Sequence, residues 1–215
     1  MNEALVDDDE GGMDPASLQT LYAKALYRLR ESRKALLKQH AVADEAQLLE
    51  RIRSGEVLEH PAYEHYLSAL IMEQGRMQLR EELLGRFGGR PSTEVPAIGI
   101  HLLLKEQVEE AYASSLTEPV RLAQDALLMS FDNGLMMEVR CFSSDEFSIH
   151  WSWGDAELRL DTAPVHAGMA GFPRHLHRDD GTVVEDPVDV SDPDPCIAFS
   201  RLLDVLLADP LLEGR

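Results

Sequence analysis

The sequence predicts an α+β fold: an N-terminal α-helical hairpin or three-helix bundle, followed by an antiparallel four- to five-stranded sheet with a C-terminal covering helix. Two changes of rhythm carry that expectation. Up to about residue 114 apolar side chains return at spacings of three and four, whereas from 127 onward they alternate at a spacing of two. Between the helical regions, residues 88–97 (G-G-R-P-S-T-E-V-P-A) concentrate glycine, proline and small polar residues, the composition of a boundary. The expected organisation is a disordered acidic lead over 1–13, a helical domain over 14–90, a linker over 91–97 and an α+β domain over 98–215.

Asp14-Pro15 supplies an N-cap and a proline at the first helical position. Leu18, Leu21, Tyr22, Ala25, Leu26, Leu29, Leu36 and Leu37 then mark one face of a helix reaching about Gln39. Its other face carries Lys24, Arg28, Arg30, Arg33, Lys34 and Lys38, expected to be solvated. Asp44 with Gln47 opens a short second helix in the manner of a capping box, and Gly55 closes it. His60-Pro61 starts a third, and Gly88-Gly89 ends it. His60 and His65 are five residues apart, wrong for an i,i+4 ligand pair, and are expected to be cap and surface residues. A fourth helix is predicted over 100–114, with His101 at its start.

The strands begin with a hairpin: 128–131, the turn Asp132-Asn133-Gly134, then 135–142, since Asn-Gly supplies positive φ. Phe147, Ile149, Trp151 and Trp153 alternate with Ser148, His150 and Ser152, and Gly154-Asp155 turns the chain into 156–160. One more short strand is expected over 182–185. The helix over 196–207, with Ile197, Phe199, Leu202, Leu203, Val205 and Leu206, is apolar enough to cover the sheet.

The chain has 215 residues, 44% of them hydrophobic, which is enough for a real core. Its 39 acidic residues outnumber 20 basic ones, for a net charge of −19, and so disfavour nucleic acid and anionic membrane over most of the surface. No apolar run is long enough to span a bilayer and the first residues are acidic, so a cytoplasmic protein with no membrane association is expected. Cys141 and Cys196 are the only cysteines, lie far apart and form no C-x-x-C, so neither a disulfide framework nor a cysteine zinc site is suggested.

Chemistry concentrates in residues 161–178. Three of the eight histidines (His166, His175, His177) stand there with Asp161, Arg174 and Arg178, broken by Pro164, Gly168, Gly171 and Pro173. An extended His175-Leu176-His177 points both imidazoles to one side. Metal-free RNA cleavage needs a base, an acid and a cation for the phosphate. His175 and His177 are candidates for the acid/base pair, His166 for an alternate partner, Arg174 for the phosphate clamp and Asp161 for the orienting carboxylate, with no cofactor required. The same atoms offer a second reading: Asp161, His166, His175 and His177 suit zinc or another borderline divalent ion. A third is a polar loop that caps the sheet.

Asp161-Thr162-Ala163-Pro164-Val165-His166 and Phe172-Pro173-Arg174-His175-Leu176-His177, after a tryptophan-containing strand pair and before an amphipathic C-terminal helix, resemble the TumE family of bacterial toxin-antitoxin proteins. That family tends to show D-N-A-P-H-H followed by F-P-H-H-K-H; this chain departs from it at Thr162, Val165, Arg174 and Leu176. The resemblance covers roughly 125–212. It implies a toxin component acting as an endoribonuclease on RNA and paired with an antitoxin. The helical domain would then bind that antitoxin or an oligomer mate. The alternative is a non-catalytic adaptor whose helices dock on a protein partner.

Overall fold

The computed structural model describes residues 14–88, 97–188 and 192–213. The expected lead over 1–13 and residues 91–96 of the expected linker lie outside the described residues. The fold is α+β, as the rhythm of the sequence predicts. Helices α1 (Pro15–Gln39), α2 (Glu45–Arg53), α3 (Glu59–Gly88) and α4 (Ala97–Ala111) precede strands β1 (Arg121–Leu122), β2 (Leu127–Ser130), β3 (Met136–Ser143), β4 (Glu146–Trp153), β5 (Ala156–Asp161), β6 (His175–His177) and β7 (Val183–Glu185). Helix α5 (Pro195–Ala208) closes the chain.

The helix starts follow their caps. The Asp14 carboxylate accepts from the Ala16 and Ser17 amides at 3.0 Å, satisfying donors that have no partner inside α1. Asp44 accepts from the Gln47 amide at 2.9 Å, while the Gln47 side chain reaches back to the Ala43 amide. Arg33, on the basic side of α1, is not simply solvated. It makes paired bonds of 2.6 and 2.7 Å to Glu45 and so ties α1 to α2.

The sheet is a seven-stranded antiparallel meander in sequence order, larger than the four or five strands expected. The additional pieces are the two-residue β1 and the three-residue β6, too short for periodicity to reveal. Gly134, at φ +86°, turns the β2–β3 hairpin as Asn-Gly predicts.

Each sheet face has its own cover. Phe147, Ile149, Trp151, Leu158, Leu160 and Leu176 pack with Leu104 and Val108 of α4 and Phe199, Leu202, Leu203 and Leu206 of α5. The other face carries Arg140, Ser148, Arg159, Asp161, His175 and His177. Its alternation reads as solvent-facing, yet α3 lies across it. Ser68 of α3 accepts from Arg140 (3.1 Å), and Glu64 pairs with Arg159 (3.0 Å). The packing continues into a second core of Leu48, Ile52, Tyr63, Tyr66, Leu67 and Ile71, which takes in Ala163 from the loop after β5. The helical and sheet-bearing parts therefore share buried surface, and their seam runs along the polar side of the sheet.

Candidate metal centre

Strand pairing places the first ligand-type atoms. Asp161 ends β5 directly opposite His175 of β6, and Arg159 stands opposite His177, so all four point to the face under α3. The loop after β5 returns His166 to the same side. From above comes the start of α3, where His60 is extended (φ −109°, ψ 137°) before the regular helix. Glu59 and His60 project there onto the sheet. The Tyr63 hydroxyl, 2.9 Å from the Thr162 hydroxyl, fixes this end of α3 to the end of β5.

Six side chains converge. Glu59 Oε1 lies 2.8 Å from His175 Nε2, 3.3 Å from His177 Nε2 and 3.6 Å from His60 Nε2. Its Oε2 lies 3.1 Å from His166 Nε2. His177 Nε2 is 2.9 Å from His175 Nε2 and 3.0 Å from His60 Nε2. Asp161 Oδ1 is 3.3 Å from His175 Nε2, and its Oδ2 is 3.4 Å from His60 Nε2 and 3.6 Å from His177 Nε2. Asp161 and His175 side chains are fully buried, while His166 is 30% exposed, so the cluster has a closed floor and an open rim.

The ring nitrogens on the far side decide what the near ones present. His175 Nδ1–H donates to the Pro173 carbonyl at 2.9 Å, and His60 Nδ1–H donates to the Glu64 carboxylate at 2.9 and 3.1 Å. In the neutral rings both Nε2 atoms then carry lone pairs aimed at carboxylate oxygens and at a third Nε2. Three nitrogens in a row share too few protons to satisfy one another. Asp161 Oδ2 is buried and accepts no hydrogen bond, although Oδ1 accepts from the Ala163 amide at 2.9 Å.

The carboxylates respond in opposite directions. Burial pushes the Asp161 carboxyl above its ordinary value, outweighing the nearby imidazoles. Burial acts the same way on Glu59, but hydrogen bonds from His175 and His177 overcome it and hold Glu59 well below the usual carboxylate range. At His175 burial favours the neutral ring; the bond to Glu59 and the field of Asp161 outweigh it and raise its affinity for a proton. Positive charge is favoured beside Glu59, while burial favours a proton on Asp161. Positive charge can be supplied by protons on the rings or by a cation among them.

The donor set fits a divalent ion. Imidazole and carboxylate ligands at about 2.0–2.2 Å from an ion stand about 2.9–3.4 Å from their neighbours in octahedral or tetrahedral geometry, and the close separations here run from 2.8 to 3.6 Å. Four-residue sets have their ligand atoms within 4.8 Å of one another: Glu59, His166, His175 and His177, and Glu59, His60, Asp161 and His177. With nitrogen and oxygen donors and no thiolate, Zn(II), Mn(II) or Fe(II) suit the set. Glu64, itself held by Arg159, orients His60 as a carboxylate behind a metal-binding histidine does.

Four of the five residues singled out by sequence, Asp161, His166, His175 and His177, are brought together. Arg174 is not drawn into the cluster; its guanidinium pairs with Asp186 (3.6 Å), because the bend before β6 turns it from the two histidines. His60 is a member of the cluster rather than a cap, and His65 is half-buried, with its Nδ1 2.8 Å from His40 Nε2. Glu59 and His60 are the residues that sequence reasoning misses. Their only signal is Glu-His-Pro at a helix start. His101 lies inside α4 and is buried, accepting the Cys141 amide proton at 3.1 Å.

Residues 9–84 match the model of the Uncharacterized protein MJ0235 family. No curated protein and no solved structure matches the chain. The likeness to the TumE family is corrected by this finding: the family that matches is a different one, and it matches the helical part. Glu59 and His60, which lie within the matched segment, join Asp161, His166, His175 and His177 in the cluster.

Proposed function

We propose that the protein binds a divalent transition-metal ion between its helical part and its sheet, through Glu59, His60, Asp161, His166, His175 and His177. One observation carries the reading: Asp161 Oδ2 is buried without a hydrogen-bond donor, among imidazole nitrogens whose lone pairs face the same space. Protons on the rings can bond Glu59, but they reach Asp161 Oδ2 only at the ion-pair distances of 3.4 Å from His60 and 3.6 Å from His177, without a hydrogen bond. A cation satisfies both. The partly exposed rim at His166 and His177 suits a centre that keeps a coordination position for water or substrate, as catalytic metal sites do. A bound ion would supply Lewis-acid activation of that water.

The metal-free acid/base reading needs a cation beside the histidines, and the nearby Arg159 and Arg174 are held by Glu64 and Asp186. A cytoplasmic location belongs to the same proposal, supported by two free cysteines. The test is metal analysis of protein purified without a histidine tag, before and after Asp161→Ala, with total RNA incubated with and without chelator. Stoichiometric metal lost in the variant supports the reading. Metal-free protein that cleaves RNA in chelator overturns it in favour of acid/base histidines.

A further inference from the structure

We infer that the centre is dinuclear, with the Glu59 carboxylate bridging two ions; this rests on the metal reading just given. An octahedral ion bound at about 2.1 Å keeps even its trans ligands about 4.2 Å apart, so one ion held by all six residues would gather their donor atoms into a single compact set. They form two instead, Glu59–His166–His175–His177 and Glu59–His60–Asp161–His177, each within 4.8 Å.

The carboxylates are disposed to span two positions. Glu59 turns Oε2 to His166 (3.1 Å) and Oε1 toward His175, His177 and His60. Asp161 likewise turns Oδ1 to His175 (3.3 Å) and its unpaired, fully buried Oδ2 to His60 (3.4 Å). His177 belongs to both sets but has one lone pair on Nε2, so it serves one ion. Its Nε2 lies 3.0 Å from His60 and 2.9 Å from His175; counted with His60, it gives the inner position His60, His177, Asp161 and Glu59. The outer position then has His166, His175 and Glu59, leaving the open place at the exposed His166 rim. Two ions bridged by one carboxylate would clamp the attacking and leaving oxygens of an ester, which makes phosphate and carboxylate esters the substrate class to test.

The experiment loads the chelator-stripped, tag-free full chain with Mn(II) and with Zn(II), counts ions per chain by mass spectrometry, and records the Mn(II) electron paramagnetic resonance spectrum. Two ions per chain with a spin-coupled Mn(II) signal are expected. His60→Ala and His166→Ala should each retain one ion and show an uncoupled six-line signal, and Glu59→Ala should lose the coupling. His60→Gln and His166→Gln replace any alanine variant whose stripped form does not show the wild-type thermal transition. One ion per chain, or two ions without coupling, overturns the bridged centre and leaves the metal reading standing. Absence of stoichiometric metal overturns both.

Discussion

At the scale of single residues, Glu64 shows how much of a site lies behind its ligands. It touches no member of the cluster except His60, yet its bonds of 2.9 and 3.1 Å to Nδ1 fix which nitrogen of that ring faces inward. Arg159 and Ser148 in turn steady Glu64. Replacing Glu64 by Gln keeps the shape and removes the charge that makes His60 a stronger donor. Metal affinity should fall roughly 10–100-fold, read by competition with a chromophoric chelator. His175 and His177 are legible in the sequence because an H-x-H step in a strand can only point one way. Glu59 and His60 are not, because 117 residues separate His60 from His177 and no local spacing records that they meet.

At the scale of elements, β6 joins two environments through three residues. His175 and His177 face α3, and Leu176 between them is fully buried in the core under α4 and α5. Leu176→Ala should cost about 2–5 kcal/mol of unfolding free energy in denaturant titration, and it should weaken metal binding without altering a ligand. Helix α4 depends on a different contact. Burial pushes the His101 imidazole down to about 4, and its Nε2 accepts the Cys141 amide proton of β3. In the unfolded chain the ring protonates near pH 6.5. The stability it contributes is therefore present above that pH and is lost as pH falls from 6.5 toward 4, by up to about 3 kcal/mol. His101→Gln should flatten that part of the pH–stability curve; an unchanged slope would remove His101 as its source. The helices and the two hairpins are legible from caps, turn glycines and periodicity. The alternation of β4 also reads correctly as one apolar and one polar side, but alternation alone does not say that α3 covers the polar side.

At the scale of the whole molecule, proposed ligands from α3 and from the β5–β6 region would make metal binding and docking of the two parts one equilibrium. An ion that binds only the assembled form should stabilise it by about 2.7 kcal/mol at a hundredfold excess over its dissociation constant. The melting temperature should therefore rise with added Zn(II) or Mn(II) and return on chelation; a melting temperature indifferent to both would mean that the seam forms without the ion. Acidic charge is plentiful on this chain, with a net −19, and it disfavours anionic macromolecules over most of the surface. Among the described residues no helix is long and apolar enough to cross a membrane. The placement of Glu59 and His60 on one side of the composition break and of the other four ligands beyond it has a practical result. Severed at that break, the protein yields two pieces with incomplete coordination sets, each inert to inspection. A survey of genomes by linear motif, or a study of either piece alone, would pass over the proposed centre, whose six residues meet only where the two parts touch.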